Sequence, residues 1–168
     1  MTPLRVATAV AAVCALAAAV VGVVAMHAPA RPAPLVHYTR LDGRPADLAA
    51  LRGHVVLVNF WATDCGPCVA EMPRMASIWR RLSPQGFDTL AVAMEDDPPF
   101  AVVDFTRSRQ LPFTVAIDHD GSIARSFGGV RYTPTSVLID KHGDIVAQWI
   151  GQTDFDDLER QVVSLLRS

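Results

Sequence analysis

The chain has 168 residues, room for one domain of ordinary size and an additional segment. Fifteen Lys and Arg against seventeen Asp and Glu leave a net charge of −2, so no basic surface for a nucleic-acid partner is expected. Apolar residues make up 51% of the chain, and much of that excess is local.

Residues 1–26 carry it. From Val6 to Met26 the run VATAVAAVCALAAAVVGVVAM has no charge and one threonine, long enough to span a bilayer as a helix. A secretory signal has an apolar region of about 7–15 residues followed by a small-x-small cleavage site. Here the run is longer, and the one tidy site, Ala28-Pro29-Ala30, contains proline. The segment therefore reads as an uncleaved signal-anchor. Arg5 just before it keeps the N-terminus cytoplasmic and sends the remainder of the chain to the other side of the membrane. Cys14 follows Val13 rather than the small residue a lipid-attachment site needs, and reads as a small apolar side chain in the helix.

Residues 27–36, rich in proline and alanine, read as an extended linker, and residues 37–168 as a single domain. Asp42-Gly43 between short stretches of mixed polarity signals a hairpin. VVLVNFWA (Val55 to Ala62) is a β-branched, apolar run typical of a strand buried on both faces. CVAEMPRMASIWRRL has helical spacing, FDTLAVAM reads as the next buried strand, PFAVVDFTRSRQ as a helix, FTVAID as a strand and GSIARSF as a short helix. TSVLID and IVAQWIG flank the turn Lys141-His142-Gly143-Asp144 and form an antiparallel hairpin. DFDDLERQVVSLLR closes as an amphipathic helix with acids in its first turn and arginine in its last. This alternation gives an α/β class with a mixed sheet flanked by helices.

Chemistry concentrates in WATDCGPCVAEMP, Trp61 to Pro73. A Cys-x-x-C pair can be a structural disulfide, half a metal site or a redox pair. Zinc needs further Cys or His ligands at suitable spacing, and His119 and His142 are lone residues in loop-like segments, so no metal is expected. A disulfide closing so small a loop restrains the unfolded chain little. The pair does begin a helix directly after a buried strand, where the helix N-terminus lowers a thiol's pKa. It therefore reads as a redox disulfide. Cys65 is the exposed nucleophile and Cys68, one turn in, the shielded thiol that resolves a mixed disulfide.

On the following helix Cys68, Met72, Met75, Trp79 and Leu82 share one sector with Ile78 at its edge, and Pro73 is expected to kink the helix. Glu71 projects into that apolar sector. An inward, unpaired carboxylate has a raised pKa and can exchange protons with Cys68. Asp64, next to Cys65, opposes a thiolate, and its carboxylate is placed to cap the Gly66 N–H.

VVLVNFWATDCGPCVAEMP resembles the active-site segment of the thioredoxin superfamily, and within it the membrane-anchored TlpA/ResA-type reductases, among them the cytochrome c maturation thioredoxins. The Cys-Gly-Pro-Cys core, Pro73 five residues after the second cysteine and Glu71 three after it carry the likeness. The buried aspartate of cytoplasmic thioredoxin falls at Asn59, which leaves Glu71 for the proton role. GVRYTPTSVLID resembles the segment with a cis-proline, placing it at Thr133-Pro134, and Phe87 to Phe127 resembles the extra strand and helix of this branch. Asp64 departs from the pattern, which usually has an aromatic or small polar residue there.

The resemblance implies a thioredoxin fold with an N-terminal hairpin and a central strand–helix insertion. It implies a substrate face of Trp61, Gly66, Pro67, Thr133 and Pro134, and no cofactor. The implied partners are exported proteins with disulfides, such as apocytochrome c or copper-handling proteins, and a transmembrane electron donor. The same residues leave two rivals open: a disulfide-forming oxidase of the same fold, and a copper-binding module using Cys65, Cys68 and a histidine.

Overall fold

A computed structural model describes residues 31–168. The apolar run of residues 1–26 lies outside the described residues. Among those, no helix is long and apolar enough to cross a membrane.

In chain order they form β1 (His37–Thr39), β2 (Pro45–Asp47), β3 (Val55–Trp61), α1 (Gly66–Leu82), β4 (Phe87–Ala93), α2 (Pro99–Ser108), β5 (Thr114–Ile117), α3 (Ser122–Ser126), β6 (Thr135–Ile139), β7 (Ile145–Ile150) and α4 (Phe155–Arg167). β1 and β2 make the antiparallel hairpin expected around Asp42-Gly43. The other strands form one mixed sheet in the order β5-β4-β3-β6-β7. β3, β4 and β5 are parallel, while β6 runs against β3 and β7 against β6.

Every residue of β3 is buried, as its unbroken apolar run requires of a central strand. Because side chains alternate, Val56, Val58 and Phe60 enter the core on the side of α3 and the hairpin. Val55, Leu57 and Trp61 enter the core on the side of α1, α2 and α4. Each such large side chain contributes roughly 1.5–3 kcal/mol on leaving water. Phe87–Phe127, where the resemblance implies one extra strand and helix, holds two of each: the inner strand β4, then α2, the short edge strand β5 and α3.

α1 buries Cys68, Glu71, Met72, Met75, Ala76, Ile78 and Leu82, with Trp79 half-buried. Pro73 withholds one backbone donor without ending the helix, which runs through it as a single element. On the outside of the same layer, Arg81 makes a two-pronged pair with Glu159 of α4 at 2.7 and 2.9 Å, and Arg74 pairs with Asp156. The Arg81 contact raises that guanidinium's pKa and holds Glu159 below the ordinary carboxylate value. Both arginines of α1 that face α4 are thereby engaged at the surface.

Residues 31–36, assigned to the linker on composition, are described as part of the compact unit Arg31–Ser168. Arg31 C=O accepts from Ile145 N–H at 2.7 Å and Ala33 N–H donates to Gly143 C=O at 2.8 Å, and Val36 is buried. The physical reason is the outer edge of β7, whose first backbone groups would otherwise face only water.

Candidate active site

The candidate site lies at the end of β3. The chain leaves Trp61, turns through Ala62–Asp64, and enters α1 with Cys65 as the capping residue. Cys65 Sγ accepts the Cys68 N–H at 3.3 Å, so the sulfur itself satisfies one of the helix's free donors. Gly66 and Pro67 begin the helix exposed, and the missing N–H of Pro67 costs nothing where no intrahelical acceptor exists. Cys65 and Cys68 are joined by a disulfide. Cys65 is half-buried, whereas Cys68 is 1% exposed. The two sulfurs of one bond therefore differ in access because one caps the helix and the other faces its core.

Asp64 is exposed, and among the described residues its carboxylate takes no N–H. The expected cap on Gly66 is not formed, because Cys65 occupies the cap position and its sulfur is the acceptor. What remains of the Asp64 reading is charge. Another carboxylate does hold this loop: buried Asp97, after β4, accepts Thr63 N–H at 2.7 Å and Thr63 Oγ1–H at 2.5 Å. The sequence reading missed Asp97. A contact spanning 34 residues leaves no local signal, although an aspartate beside a strand end was visible.

Trp61, expected on the substrate face, is 0% exposed and packs on Phe105 with ring centroids 5.2 Å apart. The period of β3 turns it into the core beneath α1, so it supports the site from inside. The Thr133-Pro134 bond is cis. Phe60 pairs with Thr135, so continuing the register sets Pro134 level with Trp61, at the strand end from which the Cys65 loop departs. Pro134 is buried and its C=O accepts Gly151 N–H at 2.8 Å. Thr133 is half-buried, and its own N–H and C=O take no partner among the described residues.

Glu71 points inward and is 6% exposed. The sequence reading expects it unpaired; instead Thr153 N–H donates to Oε1 at 2.7 Å and Thr153 Oγ1–H to Oε2 at 3.3 Å. Among the described residues no cation pairs with it, and Arg74 is turned to Asp156. Burial raises the Glu71 pKa above the ordinary 4.5, and the two Thr153 bonds oppose that rise without cancelling it. Thr153 was missed at 82 residues' separation. His119 follows β5, and His142 sits in the β6–β7 turn at the opposite end of β6 from Pro134. Neither is among the residues just described.

The Redoxin family model matches residues 28–162. The chain is 38% identical over 129 residues to the thiol-disulfide oxidoreductase ResA of Bacillus anthracis, covering 77% of this chain and 73% of that protein. Among solved structures it is similar to a thiol:disulfide interchange protein of the thioredoxin family from Chlorobium tepidum, with TM-score 0.76 and 28% identity over 83% of this chain and 98% of the other. It is also similar to a secreted disulfide oxidoreductase of Mycobacterium tuberculosis, with TM-score 0.69 and 25% identity over 77% and 96%. A disulfide-bonded Cys-x-x-C pair at the head of a helix and these likenesses converge: the chain belongs to the Redoxin family, as a TlpA/ResA-type member of the thioredoxin superfamily, and is a thiol-disulfide oxidoreductase.

Proposed function

We propose that this enzyme works outside the cytoplasm as a reductase of disulfides in exported proteins. The observation that carries the reading is the unequal access of the two sulfurs at the start of α1. In the dithiol form, the Cys65 thiolate attacks one sulfur of a substrate disulfide. A mixed disulfide forms and the substrate's other sulfur leaves as thiolate. Cys68 then gives up its proton and attacks Cys65 Sγ, releasing the second substrate thiol. Two electrons pass to the substrate, and the enzyme is left with the Cys65–Cys68 disulfide present in this structure.

The helix N-terminus favours the Cys65 thiolate, and Glu71, buried on the same helix as Cys68, is the base for the second step. The free N–H and C=O of Thr133, beside cis-Pro134, would pair with an extended substrate strand, and Gly66 and Pro67 are exposed at the start of α1. Trp61 supports this surface from beneath. The apolar run Val6–Met26 supports a signal-anchor, and a similar enzyme is secreted. A donor within the membrane must then return the electrons. Apocytochrome c or a copper-handling protein of an oxidase pathway fits as substrate.

Trapping tests the assignment of the cysteines. Cys68→Ser should accumulate mixed disulfides through Cys65, while Cys65→Ser should not. Equal trapping by both variants, read on non-reducing gels, would overturn it.

Glu71 carries a pH signature. Its folded pKa lies above the unfolded value, so its contribution to stability is complete at pH below about 4.5 and is lost as pH rises through the folded pKa. Glu71→Gln should therefore gain on the wild type in denaturant midpoint as pH rises through that window, and lose one titration from the activity–pH profile. A difference that shrinks with pH would contradict the burial argument. An unchanged activity profile would remove Glu71 from the proton step.

Asp64 contributes only charge, since its capping role is taken by Cys65. A nearby negative charge disfavours the thiolate and makes the couple a stronger reductant. Asp64→Asn should lower the Cys65 pKa and raise the potential by about 10–20 mV, as expected for an exposed charge. A pKa that stays put or rises on ultraviolet titration of the thiolate would refute this role.

A further inference from the structure

Asn59 is the one polar residue of β3, and it faces α1 together with Leu57 and Trp61. It is 1% exposed, as is Ser136, its partner in register on β6. Asn59 Nδ2–H donates to Ser136 Oγ at 3.0 Å, and Ser136 Oγ lies 3.0 Å from Thr153 Oγ1. Thr153 Oγ1–H in turn donates to Glu71 Oε2. Side chains from β3, β6, the loop before α4 and α1 thus form one buried line that ends on the carboxyl group.

Chemistry sets the direction of this line. An ionised carboxylate only accepts, so the Thr153 hydroxyl proton must point to Glu71. Thr153 Oγ1 can then only accept from Ser136, and Ser136 Oγ from the Asn59 amide. The cost shows at the far end: Asn59 Oδ1 is buried without a partner among the described residues. Within this line Oδ1 would gain a donor only if the amide flipped and both hydroxyls turned round, which would take from Nδ2 its Ser136 acceptor and require Glu71 to donate, hence to be protonated.

We propose that Asn59 and Ser136 are positioning residues which hold the Thr153 hydroxyl as a donor to Glu71 and so tune the proton affinity of that carboxyl. The line points at Glu71 when it is ionised, and it can reverse only when Glu71 takes a proton. Its relevance to disulfide exchange rests on the proton role given to Glu71 above. Among the described residues, the charged groups on the elements beside Glu71 have other partners. Arg74 of α1 is held by Asp156 of α4, and Asp154 accepts the N–H groups of Asp156 and Asp157. β3 and β6 present only Asn59 and Ser136 to this line, and in the oxidised protein Cys65 and Cys68 do not titrate.

The test is a pH titration of the Glu71 side-chain carboxyl by carbon-13 NMR in the full-length oxidised protein. Ser136→Ala, which keeps the volume and removes the relay, should move the Glu71 midpoint up by about 0.3 unit, a twofold gain in proton affinity, because charge-directed hydrogen bonds reinforce one another. Asn59→Leu should move it the same way, Thr153→Val further, and Ser136→Thr should restore it. A midpoint unmoved or lowered in Ser136→Ala, with unfolding behaviour unchanged, would overturn the proposal. Should Glu71→Gln leave the activity–pH profile untouched while Ser136→Ala still shifts the midpoint, the proton role falls and the tuning stands.

Discussion

The site depends on the junction between a fully buried strand and the helix that follows it. β3 cannot shift without exposing seven core residues, so its end fixes where the chain turns and where α1 begins. At that point the helix has backbone donors with no partner, and the residue placed to receive one of them is Cys65, through its sulfur. The same donors that need satisfying are those that stabilise a thiolate. Cys68, one turn later, is carried into the core by helical geometry alone.

Neighbouring elements hold this junction from two sides. Asp97 grips Thr63 through both its N–H and its hydroxyl, tying the Cys65 loop to the end of β4. The register of β3 with β6 brings the cis-Pro134 turn level with Trp61, and Trp61 fills the space beneath. Glu71 adds a cost to this otherwise apolar layer, since a buried carboxylate without a cation resists ionising. Thr153 offsets part of that cost while leaving the group closer to neutral pH than an exposed glutamate.

Strand and helix order were legible because each element of the sheet domain carries its period openly: β3 as an unbroken apolar run, α4 with acids first and arginine last. The cysteine pair was legible because its spacing and its place after a strand are local features. Glu71 was placed on the right face by counting residues around α1, but its partner was not. Thr153 stands 82 residues away, and nothing near it marks a carboxylate contact. Asp97 and the docking of residues 31–33 were hidden for the same reason. The resemblance alone does not show that Trp61 turns into the core, and local spacing does not show that Cys65 rather than Asp64 caps the helix. Whether an aromatic at a strand end turns outward depends on the strand's phase, and which atom caps a helix depends on which residue reaches the cap position first.

The claim that this pair serves reduction rather than oxidation is tested most directly by its reduction potential. The protein would be equilibrated in dithiothreitol redox buffers, and the Cys65–Cys68 disulfide quantified by thiol alkylation and mass spectrometry. The account predicts a value at or below about −250 mV, in the range of reducing thioredoxins. A value near about −120 mV, where the reduced form is the stabilised one, would mark a disulfide-forming oxidase and contradict the account.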